Sequence, residues 1–175
     1  MSSPDPGINE LSSRLLQRVT EYLTTEGWQV GPVKSSPQIR WVIEAIDYQK
    51  RPISVSQEFT PQKQTERLLI FTTLKLSPHH KEIFSALRPV DQRDLVYEIR
   101  QQTIMMGIDY AGLDVPLDRM LFEDFLYVDD LSKSNFLKTV RKVRNAMLLA
   151  TITIARRFNE PLPSEPGLEI PLNGK

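Results

Sequence analysis

The sequence predicts an α+β fold: an antiparallel sheet of five to six strands with an N-terminal helix, middle helices and a long C-terminal helix. Three observations predict it. Four β-branched and aromatic runs follow one another between residues 28 and 74, and two more lie between 108 and 128. Apolar residues recur at helical spacing before, between and after these runs. At 175 residues the chain suits one domain with a single core.

Residues 1–8 carry two prolines, a glycine and serines, so they read as a flexible leader. They have neither the basic nor the hydrophobic region of a secretory signal. Asn9 is placed to cap the first helix and Ile8 to staple it. Leu11, Leu15, Val19 and Tyr22 or Leu23 form its apolar face, and Gly27 is its αL stop.

The first strands are read at 28–33, 39–46, 53–59 and 67–74, punctuated by Ser35-Ser-Pro, Lys50-Arg-Pro and Thr60-Pro-Gln, as an antiparallel meander. In the third of them Ile53, Val55 and Gln57 alternate with Ser54, Ser56 and Glu58, the pattern of a sheet packed on one face. Trp28, Trp41, Tyr48 and Phe71 are assigned to the sheet core.

Ser77 and Pro78 suit the N-cap and first turn of the middle helices, and Arg88-Pro89 resets the chain. A helix over 91–106 turns Leu95, Ile99 and Ile104 inward and stops at Gly107. Strands near 108–115 and 119–128 form a hairpin around Pro116. A long helix over 132–158 completes the domain, read as 9–159, and residues 160–175, with four prolines, form a flexible tail.

That last helix carries seven basic residues and no acidic one: Lys133, Lys138, Arg141, Lys142, Arg144, Arg156 and Arg157. Phe136, Val140, Val143, Met147, Ala150, Ile154 and Phe158 share one stripe and are its core face. Residues 146–155 carry no charge, and Leu148, Leu149 and Ile152 project away from that stripe. A helix apolar on two sides needs two covers, so this second flank packs either under another element of the chain or under a second polypeptide. The basic strip has two readings. It neutralises the acidic hairpin, where Asp109, Asp114, Asp118, Glu123, Asp124, Asp129 and Asp130 oppose only Arg119, or it binds phosphate.

Composition narrows the function classes. The chain has no cysteine, which removes disulfides, thiol catalysis and thiolate metal sites and fits a reducing cytoplasm. Its net charge of zero argues against a generalist nucleic-acid binder. No apolar run approaches the ~18 residues that span a bilayer, so no membrane association is expected. His79 and Glu82 could share a helical face, but no further His or Cys completes a zinc shell. Phosphate-cradling glycine loops and nucleophile elbows are absent from the sequence. Glu123 and Asp124 are neighbours on a strand, hence on opposite faces, and cannot pair for acid/base work. The expectation is a protein that is not an enzyme, with no cofactor and no metal.

Leu76-Ser77-Pro78-His79-His80 and Val128-Asp129-Asp130-Leu131-Ser132-Lys133, the latter leading into Phe136 to Val143, resemble an uncharacterised, mainly archaeal family classed as a domain of unknown function. The resemblance runs from about Leu11 to Phe158. The order of elements resembles the type III secretion chaperone-like fold. The family pattern has glycine and threonine where this chain has Asp130 and Ser132; the serine keeps the cap, whereas the aspartate alters the turn. The resemblance implies that fold, no catalytic residues, and dimerisation or peptide binding.

The expected function is a non-enzymatic protein-binding module, chaperone- or adaptor-like, and a homodimer through Leu148, Leu149 and Ile152. The alternative is a nucleic-acid-associated protein using Lys138, Arg141, Lys142 and Arg144.

Overall fold

The computed structural model describes residues 10–58 and 66–161. The expected leader, Asn9, Ile8 and the tail beyond Pro161 lie outside them. Helix α1 (Glu10–Thr25) leads into strands β1 (Gln29–Val30), β2 (Lys34–Ser36), β3 (Ile39–Ile46), β4 (Pro52–Glu58) and β5 (Arg67–Lys75). Helices α2 (Pro78–Ala86) and α3 (Pro89–Met105), strands β6 (Asp109–Ala111) and β7 (Arg119–Tyr127), a 3-10 turn at Val128–Asp130 and helix α4 (Lys133–Arg157) follow. The fold is therefore α+β, as the patterning predicts. The expected first strand, 28–33, forms only at Gln29–Val30, and one further short strand, β2, brings the sheet to seven.

All pairings are antiparallel, in the order β1-β3-β4-β5-β7-β6, with β2 beside β3. Period-2 burial defines the inner face: Trp41 and Ile43 on β3, Ile53 and Val55 on β4, Leu68 and Ile70 on β5, Met120 and Phe122 on β7. Helix α1 packs against β1 and β3, α4 lies against β5 and β7, and α3 packs on α4 and β6.

Gln57 alternates inward as its spacing predicts, and a buried amide needs partners. Its carbonyl accepts from Trp41 Nε1 at 2.8 Å and its amide donates to Glu66 at 3.0 Å. A register shift between Ile39 and Trp41 accompanies Arg40, whose guanidinium donates to Glu66 at 2.7 Å and to Ser12 of α1 at 3.2 Å. One polar chain thus ties α1, β3, β4 and the start of β5.

Three expectations are corrected. The buried face of α1 is Ser12, Leu15, Val19 and Leu23, and Leu11 is exposed, because Ser12 is held inside by the hydrogen bond from Arg40. Tyr48 sits in the β3–β4 turn and is 75% exposed, not core, while Phe71 is half-buried on the outer face. Ile104 is 62% exposed. It stands five residues after Ile99, or about 500° of rotation, so it faces away, and Thr103 takes the inward place with its hydroxyl on the Ile99 carbonyl at 2.8 Å.

Gly27 ends α1 as expected, with φ +79° and the Trp28 N–H returning to the Leu23 carbonyl at 3.0 Å. The hairpin forms, but β6 is only three residues long, because the chain turns away at Gly112 (φ +72°). A Cβ there would collide with the Arg119 carbonyl oxygen. Gly112→Ala is therefore expected to destabilise by about 2 kcal/mol or more, read as a lowered denaturation midpoint; an unchanged midpoint would show that the turn tolerates a side chain.

Candidate functional site

Helix α4 starts where its sequence sets it. Ser132 accepts from Asn135 N–H at 3.2 Å, and the Asn135 side chain closes the end by donating to the Asp130 carbonyl at 2.9 Å. Asp130 lies in the 3-10 turn and is not among the positive-φ residues, so aspartate is accommodated without a glycine conformation. The whole predicted stripe from Phe136 to Phe158 is buried. Each of its larger side chains contributes about 1.5–3 kcal/mol, which makes α4 a wall of the core.

Four of the seven cations are engaged internally. Lys133 meets Glu26 at 3.0 Å and Arg157 meets Glu98 at 3.5 Å. Lys142 holds Asp124 at 2.8 Å and the Gly107 carbonyl at 2.7 Å. Arg144 reaches the buried carboxylate of Asp47 at 3.2 Å. Only Asp124 comes from the acidic hairpin; there Asp114 pairs with Arg100 and Asp118 with Lys81. Lys138, Arg141 and Arg156 are exposed and make no ion pair among the described residues. At about 100° per residue these three fall on the outward side of α4, together with Leu148, Leu149 and Ile152.

Those three apolar residues are half-buried. The element packed along α4 here is α3: the Thr153 hydroxyl donates to Gln102 Oε1 at 2.9 Å, and Arg157 pairs with Glu98. On α3 itself Val90, Tyr97 and Ile104 recur every seventh residue and are exposed, Tyr97 by 67%, and Met105 beside them is 80% exposed. Two antiparallel helices therefore present outward sides with apolar residues from both and exposed cations from α4. The exposed α3 residues were not anticipated from the sequence, although the Val90, Tyr97, Ile104 heptad was there to find.

Among the described residues no group of three or more His, Asp or Glu is placed to hold a metal ion. His79 lies 3.9 Å from Glu160 rather than serving with Glu82, and His80 lies 2.9 Å from Glu160. Glu123 and Asp124 point to opposite faces, the second toward Lys142. Burial raises the Glu123 carboxyl above its ordinary range, and the like charges of Asp109, directly opposite on β6, and of Glu58 push the same way.

A carboxyl whose folded pKa is raised favours the folded state when protonated, and that stability is lost as pH climbs through the raised pKa. Glu123→Gln is therefore expected to raise the unfolding temperature relative to the native chain at about pH 7, and the gain should vanish near pH 3. Thermal melts at the two pH values check this; a gain that persists in acid would exclude the ionisation as its cause. Among the described residues no helix is long and apolar enough to cross a membrane.

The fold resembles a crystal structure of an uncharacterized protein from Methanothermobacter thermautotrophicus, with a TM-score of 0.73 over 81% of this chain and 97% of that one, at 22% identity. That likeness concerns the fold. No curated protein matches the chain. Residues 15–154 match the family model described as "Uncharacterized conserved protein (DUF2299)", so the surface formed by α3 and α4 belongs to a member of that family.

Proposed function

We propose that the protein is a non-enzymatic protein-binding module, chaperone- or adaptor-like, and that it self-associates through the outward side of α3 and α4. The observation that carries this reading is that Leu148, Leu149 and Ile152 on α4 are only half-buried while Tyr97, Ile104 and Met105 on α3, the helix packed on it, are exposed. Exposed apolar side chains on one molecule are ordinary when scattered; several on the outward sides of two packed helices support an interaction site. The order helix, strands, two helices, two strands, long helix is in keeping with the secretion chaperone-like resemblance.

Light scattering tests the self-association. The native chain is expected at twice its 20.2 kDa mass. Leu149→Glu should return it to one chain while changing unfolding free energy by no more than about 1 kcal/mol. A single-chain mass in both would remove the dimer.

The second reading, a nucleic-acid-associated protein, rests on the exposed Lys138, Arg141 and Arg156, which make no ion pair among the described residues. Lys142 and Arg144, two of the four cations expected to make that contact, are held by Asp124 and Asp47, so few are left for phosphates. With two or three contacts, log affinity should fall with log salt at a slope of about −2 to −3. Absence of binding to mixed DNA or RNA at low ionic strength would end this reading.

A further inference from the structure

A cavity of about 300 Å³ opens between the end of β5, the start of α2 and the last turns of α4. Its walls are apolar, with Leu74, Leu76, Ile154 and Ala155 among them, and its mouth is polar, with Lys75, His80 and Glu160. Mostly apolar walls with a few convergent polar groups are the usual make-up of a small-molecule site, and this volume is at the small end of such sites.

The mouth already holds a carboxylate. Helix α4 ends at Asn159 in the left-handed region (φ +55°), and the Glu160 N–H turns back to the Ala155 carbonyl at 2.9 Å. That reversal brings Glu160 into the lining of the cavity, where its oxygens lie 2.9 and 3.1 Å from His80 Nε2. His80 is itself fixed: its backbone N–H donates to the Ser77 cap at 3.2 Å, and its ring lies tilted against Phe158 with centroids 5.8 Å apart. His79 adds a ring nitrogen 3.9 Å from the same carboxylate, and Lys75 lines the mouth.

The geometry points to a binding site for a small carboxylate with an apolar tail, in which Glu160 occupies the head-group position until the ligand displaces it. At ~30 Å³ for each water-sized group the cavity admits roughly ten non-hydrogen atoms, about the size of octanoate. The tail takes the apolar walls, the carboxylate takes His80 with Lys75 nearby, and Glu160 swings out. This site is separate from the outward surface of α3 and α4, and neither reading depends on the other.

Calorimetric titration of the full chain with octanoate tests it, with octanol and octylamine as head-group controls. Octanoate should bind saturably and tighter than either control. Glu160→Gln keeps a hydrogen-bond partner for His80 but removes the competing charge, and should tighten octanoate by at least about fivefold. His80→Ala should weaken it. Ala155→Phe, or Thr151→Phe should the first fail to fold by circular dichroism, should abolish binding. No saturable octanoate binding to the native chain or to Glu160→Gln at millimolar concentration would overturn the site. Equal binding of all three probes, indifferent to Glu160→Gln, would overturn the carboxylate assignment. Binding that survives a folded cavity-filling variant would place the ligand elsewhere.

Discussion

Asp47→Ala is expected to cost about 3–5 kcal/mol of unfolding free energy, measured by urea denaturation. The carboxylate is only 4% exposed and accepts four hydrogen bonds. Two come from the Gln49 and Arg51 N–H groups at 2.9 Å and build the β3–β4 turn. The others come from Arg51 Nε and Arg144 Nη1, each at 3.2 Å. Removing the acid leaves two guanidinium groups facing each other, and Arg144 Nε is already buried without a partner. Asp47→Asn keeps an oxygen for the turn and loses the charge, so it should fall between. Arg144→Met in the Asp47→Ala background should recover part of the loss, because a half-buried cation without its anion costs more than an apolar replacement. A loss below about 1 kcal/mol for Asp47→Ala would show that the turn and α4 hold without this pin.

Phe136→Ala should cost a similar amount, about 3–5 kcal/mol. Its ring is fully buried and lies 5.9 Å from Tyr22, joining the first and last helices over the sheet. Arg18 adds to the same junction, donating to the Leu131 carbonyl at 2.8 Å. The cavity left by Phe136→Ala would lie between elements more than a hundred residues apart in sequence, where little of the chain can collapse into it. Chemical denaturation measures it; a loss under about 1.5 kcal/mol would mean that α1 is not docked on α4 in solution.

Periodicity made the core side of α4 legible, since all seven stripe residues from Phe136 to Phe158 are apolar at helical spacing. The inward Gln57 was legible for the same reason, because strand alternation overrides polarity. Ser12 and Thr103 were not, because a small hydroxyl takes a core place only when a distant partner or its own backbone satisfies it. Asp47 was missed because it lies in a turn. An aspartate opening Asp-Tyr-Gln-Lys-Arg is nonetheless a recognisable turn-forming signal.

The sign of the α4 charges was readable, but their partners were not. Glu26, Asp47 and Glu98 come from three elements that only the tertiary fold brings to one helix. The mouth formed by His80 and Glu160 joins residues eighty positions apart, so no local pattern announces it.

Met105 provides the most direct test of the account, whose centre is that the outward side of α3 and α4 is covered by a second polypeptide in solution. Its thioether is 80% exposed on one chain, whereas Met120 is fully buried and serves as an internal reference. Peroxide oxidation followed by mass spectrometry reads both sites in one sample. Oxidation of Met105 is predicted to slow as protein concentration rises, with Leu149→Glu abolishing that protection and Met120 protected throughout. Fast, concentration-independent oxidation of Met105 in the native chain, matching that in Leu149→Glu, would contradict it.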